Sequence, residues 1–394
     1  MTEEVVFREL GGGKMAAVVL NAGEEVSCVE TEQFVVRYGA ATVECVYAGG
    51  VETQEAWRGR GLARRLITVV LERARAGGAA FALLYGIGDF YQRFGFATLG
   101  AEYGLALRHP EQGAVLPEGW RVRPAEEGDL PAIRRLYDAD AASGVMTKER
   151  THDDAVWGKL AALVRGERAG DECRVVQDTG GDVAAYAWLG RGFWTVDHAQ
   201  ERYWPSDFFI GEVIAGDHAA ADAVLAACRL WATEEAARRG RRVGTVRLGV
   251  SPRGAVTAAG QYQEAEATST SWDSAGPQVR TLSTRRLLAQ IAPELSRRVV
   301  GLRAPWQGRA TLHTSEGSAT VRVTADGVSV SAGDARPGVT SIAVTQQTLI
   351  RLVLGAFPPA GLLARTAPEL SGDARSCLLT LFPQREPFLY PLDR

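Results

Sequence analysis

The sequence predicts an α/β (α+β) fold with mixed sheets, built in three serial parts, and three observations predict it. Short runs rich in Val, Phe and Tyr alternate with stretches whose apolar residues recur at helical spacing. The order strand, glycine turn, helix, strand appears in the first hundred residues and again in the second third of the chain, as an internal duplication would. The 394 residues also exceed what one ordinary core accommodates, so several domains are expected.

The elements follow in chain order. "EEVVFRELGGGKMAAVVLN" reads as a strand hairpin around its glycine run, and "GGGKM" lacks the spacing and the Ser/Thr of a nucleotide loop. Residues 32–53, "EQFVVRYGAATVECVYAGGVET", read as two strands joined near Tyr38 to Ala40, with a bulge at Gly49 and Gly50. From Leu62 to Ala76 the apolar residues Ala63, Leu66, Ile67, Val70 and Ala74 recur every three or four positions, and Gly77 and Gly78 close that helix. A strand at "AFALLYG" and a turn into "DFYQRFGF" complete the first part.

The second part opens at "GWRVRPAEEGDLPAIRRLYDAD" with a strand and a helix, Asp129 being the expected N-cap and Pro131 lying in the first turn. Strands at "CRVVQD", "AAYAWLG" and "FFIGEVIA", a helix from His218 to Arg239 ended by Gly240, and a strand at "VGTVRLGV" repeat the first architecture. The polar stretch "TSTSWDSAGPQ" reads as a boundary. Beyond it come a helix at "TRRLLAQIA", a hairpin pattern over "ATLHTSEGSATVRVTADGVSVSAG", a helix at "QQTLIRLVLG" and a proline-punctuated tail, "LFPQREPFLYPLDR", whose free end is a usual place for disorder.

Composition narrows the function. The 44 basic and 47 acidic residues leave a formal charge of -3, so no global field recruits nucleic acid or an anionic membrane. Five cysteines, odd in number and in no C-x-x-C pair, and five dispersed histidines point to a reducing compartment and to no metal site. An acidic N-terminus and the absence of a long apolar run read as a cytoplasmic protein.

One stretch concentrates chemistry. "WRGRGLARRL", residues 57–66, places glycines and arginines where the first long helix starts. A helix start presents unpaired N–H groups and a positive dipole end, and glycine lets an anion reach them. Arg58, Gly59, Arg60, Gly61, Leu62 and Ala63 fit R-x-x-G-x-A, a pyrophosphate cradle by composition and position; a glycine loop with a solvated basic face is the plainer alternative. At the second junction, "IAGDHAAADAV", two aspartates and no arginine make phosphate binding improbable.

These residues resemble the GNAT superfamily of acyl-CoA-dependent N-acyltransferases, whose signature is Q/R-x-x-G-x-G/A at this strand-to-helix junction. "VETQEAWRGRGLARRL" followed by "ALLYGIGDFYQRFGF" is similar to the enhanced-intracellular-survival branch, bacterial aminoglycoside N-acetyltransferases with two tandem GNAT domains and a sterol-carrier-protein-like domain. The resemblance implies a CoA-binding GNAT domain at 1–112, a degenerate one at 113–272 and a sterol-carrier-protein-like domain at 273–394. It implies acetyl-CoA as co-substrate, no metal, an aminoglycoside-like or polyamine-like amine as acceptor, and a homo-oligomer, in that family a hexamer. It further implies that backbone groups of Val51, Glu52 and Thr53 hold the pantetheine arm, that Gly59 to Arg64 receive the pyrophosphate, and that Tyr91 is the general acid. A phenol of pKa about 10 can supply the proton that a departing thiolate needs. For the base, the resemblance implies the C-terminal carboxylate, here on Arg394, and Glu52 competes from the strand beside the cofactor. The family's two opening helices, which wall the acceptor pocket, have no counterpart in residues 3–21. A catalytically silent assembly or binding protein is therefore the rival reading.

Overall fold

The computed structural model describes residues 3–108, 114–142, 144–240, 242–271, 276–333 and 338–393. The chain divides into two compact units, neither continuous in sequence: residues 1–100 with 271–387, and residues 101–270 with 388–394. Compactness thus groups the chain differently from the serial order 1–112, 113–272, 273–394.

The first unit begins with β1 (Glu3–Gly11) and β2 (Lys14–Asn21), the expected hairpin, then β3 (Glu24–Tyr38) and β4 (Ala41–Thr53). Register on β3 pairs Glu30 with Gly49 but Cys28 with Glu52, so β4 carries one extra residue at the glycine pair, where the bulge was expected. Helix α1 runs from Leu62 to Ala76 and buries Leu66, Ile67 and Val70 against the sheet. β5 (Phe81–Gly86) runs parallel to β4 as far as the Tyr47–Leu83 pair, and the short β6 is Ala97–Thr98.

The second unit holds two sheets. Its elements are β7 (Ala101–Arg108), β8 (Arg121–Pro124), α2 (Leu130–Ala141), β9 (Val145–Lys148), α3 (Ala155–Val164), β10 (Cys173–Gln177), β11 (Val183–Trp188), α4 (Trp194–His198), β12 (Phe208–Ile210), β13 (Glu212–Ala215), α5 (His218–Arg239), β14 (Thr245–Leu248), α6 (Ala255–Tyr262) and β15 (Glu266–Ser271). One sheet orders β13-β11-β10-β8, the other β12-β14-β7-β15. The single strand expected at "FFIGEVIA" is therefore two, because β12 pairs with β14 in one sheet and β13 with β11 in the other. Asp129 stands at the N-cap position of α2, yet its side chain does not cap that helix: the carboxylate accepts from the Glu126 amide at 2.8 Å and from both Arg123 nitrogens at 2.6 and 2.8 Å, closing the preceding turn instead.

The chain then returns to the first unit through β16 (Gly276–Thr281), antiparallel to β5 and to β6, giving the order β1-β2-β3-β4-β5-β16-β6. The stretch read as a boundary thus supplies strand residues on both sides, Thr268–Ser271 to β15 and Gly276–Gln278 to β16. Helix α7 (Thr284–Val300) continues past Pro293, where the sequence reading ended it. The lost N–H is outweighed by burial of Leu295 and Val299 and by buried Glu294, which accepts from the Ala40 amide, Arg297 and Arg298. β17 (Gly308–Thr314), β18 (Gly317–Thr324), β19 (Gly327–Ala332) and β20 (Thr340–Ala343) form a sheet ordered β19-β18-β17-β20. Helices α8 (Gln346–Leu354), α9 (Pro359–Thr366) and α10 (Gly372–Leu381) follow, and α8 buries Leu349, Ile350, Leu352 and Val353. Among the described residues no helix is long and apolar enough to cross a membrane.

The described part of the tail, up to Asp393, is packed. Phe388, Tyr390 and Leu392 lie in the core of the second unit, whereas the free end at Arg394, where disorder was expected, lies outside the described residues.

Candidate functional site

A cavity of about 1360 Å³ opens in the first unit where β4 and β5 separate. Because β4 pairs with β5 only up to Tyr47–Leu83, its last residues Val51, Glu52 and Thr53 present one edge that no described strand covers. Their other edge is held by β3, and side chains reinforce it: Ser27 Oγ donates to the Glu52 carbonyl at 2.8 Å, and Arg58 Nε to the Thr53 carbonyl at 3.3 Å.

The start of α1 forms one wall. Gly61 is its N-cap with φ of 79°, Gly59 has φ of 76°, and both are left-handed conformations that a side chain would strain. A Cβ at either position would face open space, so the glycines leave the backbone bare toward the cavity. No side chain caps the helix, and no acid lies in its first turn. The first intrahelical bond there runs from the Arg65 amide to the Gly61 carbonyl at 3.0 Å, which leaves the Leu62, Ala63 and Arg64 amides for a ligand or water. Arg58, Arg60 and Arg64 flank this opening, and none of them is in an ion pair among the described residues. Arg60 is steadied by stacking 4.4 Å over the Trp57 ring.

Tyr91 faces the same cavity from a 3-10 turn, Tyr91–Phe94. Its ring meets Phe90 edge-on at 4.9 Å and Phe96 at 6.2 Å, and burial raises the phenol above its ordinary 10, so it stays protonated at neutral pH. Phe96 is buried in the core, and Phe90 and Phe94 pack against it while also lining the cavity. Gly86 at the end of β5 is fixed by this arrangement: a Cβ there would come within 2.5 Å of the Tyr91 ring and 2.6 Å of the Gln278 amide.

Carboxylates gather on the β3 and β4 side. Glu25, Glu52 and Glu55 all line the cavity. Burial, and then the carboxylates of Glu25 and Glu52, push the Cys28 thiol up to about 11, which keeps it in the thiol form at neutral pH.

The structure therefore brings Val51, Glu52, Thr53, Arg58, Gly59, Arg60, Gly61, Leu62, Ala63, Arg64 and Tyr91 to one cavity. Arg394 lies outside the described residues. Sequence reasoning missed Glu25, Cys28 and Arg93 as lining residues. It also missed Gln278, which only the pairing of β16 with β5 brings near. Among the described residues no cluster of three or more His, Cys, Asp or Glu could hold a metal.

Residues 6–99 match the model of the acetyltransferase (GNAT) domain family. Several solved structures are similar over nearly the whole chain. A GCN5-related N-acetyltransferase from Kribbella flavida is 18% identical, with 95% of this chain and 86% of that one covered and a TM-score of 0.64. A probable N-acyltransferase from Enterococcus faecalis is 15% identical over 96% and 89%, with a TM-score of 0.68. Eis1 from Mycobacterium abscessus is 15% identical over 98% and 92%, with a TM-score of 0.61. No curated protein sequence matches the chain. At these identities the likeness to solved structures fixes the fold.

Proposed function

We propose that this chain, an N-acetyltransferase with a GNAT domain at residues 6–99, moves an acetyl group from acetyl-CoA to a cationic primary amine by direct attack. The observation that carries the reading is the uncapped, acid-free start of α1 opening into the same cavity as Tyr91. The pyrophosphate lies on the amides of Leu62 to Arg64, with Arg58, Arg60 and Arg64 around it, and the pantetheine arm extends along the bare edge of Val51 to Thr53.

The amine nitrogen attacks the thioester carbonyl, the C–S bond breaks, and the departing sulfur takes the Tyr91 proton. The ammonium of the acceptor loses its proton to Glu52 or to the C-terminal carboxylate of Arg394. Glu25 and Glu52 favour a polycationic acceptor, aminoglycoside-like or polyamine-like, and disfavour an anionic one. The reading includes a homo-oligomer, a hexamer by resemblance. Residues 273–394 are then a sterol-carrier-protein-like module in which the apolar side chains of α8 serve as core packing, since Leu349, Ile350, Leu352 and Val353 are buried.

One observation favours a second reading, a CoA-binding protein without turnover: β1 and β2 are joined by Gly12 and Gly13 alone, where the resemblance expects two helices. Thiol release from acetyl-CoA with a panel of amines separates the two. Turnover with polyamines or aminoglycosides is expected; CoA binding with no turnover on any amine selects the second reading, and no heat with CoA in calorimetry removes both.

A further inference from the structure

We infer that Arg93 reads the 3′-phosphate of coenzyme A, which makes the site selective for CoA over its 3′-dephospho form. The inference rests on the acetyl-CoA reading above. CoA carries two separate anionic groups, a pyrophosphate and a 3′-phosphomonoester, and the latter brings about -1.5 to -2 charges at neutral pH. The start of α1 and its flanking Arg58, Arg60 and Arg64 form one contiguous cation set, which suits the pyrophosphate. A second anion is best met by a second cation on another segment, and among the described residues Arg93 is the basic residue lining the cavity from outside residues 58–64.

Its surroundings hold it ready. Arg93 Nη2 donates to the Asp89 carbonyl at 3.2 Å, and the guanidinium lies 4.9 Å over the Phe90 ring. Asp89 has a φ of 58°, a left-handed conformation that aspartate tolerates better than most residues, in the turn that supplies this carbonyl. One nitrogen and one face are thus fixed while the rest of the donor fork remains for a phosphate. The cavity's acids, Glu25, Glu52 and Glu55, lie on β3, β4 and the turn after β4, so the wall carrying Arg93 contributes no carboxylate to the lining.

The test is calorimetric titration of the full chain with CoA and with 3′-dephospho-CoA. The unaltered chain is expected to bind CoA roughly 10-fold more tightly. Arg93→Gln should erase that preference while leaving 3′-dephospho-CoA affinity within about twofold, and Arg93→Lys should restore part of it. Equal weakening of both ligands in Arg93→Gln, or a preference that survives it, overturns the inference. An unaltered chain that binds both ligands equally overturns the inference alone; one that binds neither overturns the acetyl-CoA reading as well.

Discussion

The two strand-to-helix junctions of this chain start from the same plan and end as opposites. Before α1 the N-cap is Gly61, with a left-handed φ, no side-chain cap and an open cavity in front. Before α5 the N-cap is Asp217, extended at φ of -152°, and its carboxylate accepts from the Ala220 amide at 2.8 Å. The preceding strands differ likewise. Glu52 at the end of β4 lines a cavity, whereas Glu212 on β13 is wholly buried, with its carboxylate on Arg150 and on the Tyr186 hydroxyl at 2.7 Å. Arg150 Nε also donates to Asp393 at 2.7 Å, and Tyr137 donates to the same carboxylate at 2.9 Å. A junction becomes a site when its polar groups are left unanswered, and a strut when the chain answers them itself.

Breaking the strut should have the largest effect. Arg150→Met strands two buried carboxylates, and removal of one partner from such a cluster costs about 3–5 kcal/mol. Chemical denaturation should report that loss while CoA affinity stays unchanged, because the cofactor site is built from other residues. The loss should also depend on pH. Burial holds the Glu212 carboxyl above its ordinary 4.5 even though Arg150 pulls it down. A group raised in the folded state contributes its stability below its unfolded pKa and loses it as pH rises through the folded value. Without the guanidinium the folded value climbs further, so the variant's deficit should be small near about pH 4 and grow toward about pH 8. A deficit that shrinks with rising pH would contradict this assignment of the charges.

Within the open junction, Tyr91→Phe should lower turnover by roughly 10²–10³ with CoA affinity within about twofold, since packing survives and only the proton is lost. Unchanged turnover removes Tyr91 from the chemistry. Next in size is conversion of one junction into the other. Gly61→Asp places a carboxylate before the bare amides, as Asp217 does in the second unit, and should weaken CoA by about 10- to 100-fold in calorimetry through repulsion and competition for those amides. If affinity holds, the anion does not sit there.

Local signals made the junctions readable. The bulge followed from a glycine pair, α1 and α5 from their apolar periods and closing glycines, and the contrast between the junctions from Arg58 and Arg60 against Asp217. What escaped depends on partners distant in sequence. Nothing near Val279 announces that it pairs with Leu83, nor does the tail sequence show that Tyr390 and Asp393 meet Tyr137 and Arg150. Glu25 was within reach: the turn after Tyr38 and the one-residue bulge fix the register that pairs Ser27 with Thr53, and so bring the start of β3 beside Glu52. Gly211 reads as an interior residue of one strand because periodicity does not say that its two sides join different sheets.

The smallest effect tests the comparison from the other side. Asp217→Ala uncaps α5 and should lower stability by about 1 kcal/mol, the usual value of an N-cap. In thermal unfolding that is a fall of roughly 2–4 °C. The uncapped α5 then resembles α1 in having bare first-turn amides, but it should gain no affinity for CoA, because His218, Ala219 and Ala220 bring no arginine and the strand before them has its acid locked on Arg150. A second CoA equivalent bound by this variant would mean that the cap alone separates strut from site, and that the arginines of residues 58–64 are dispensable.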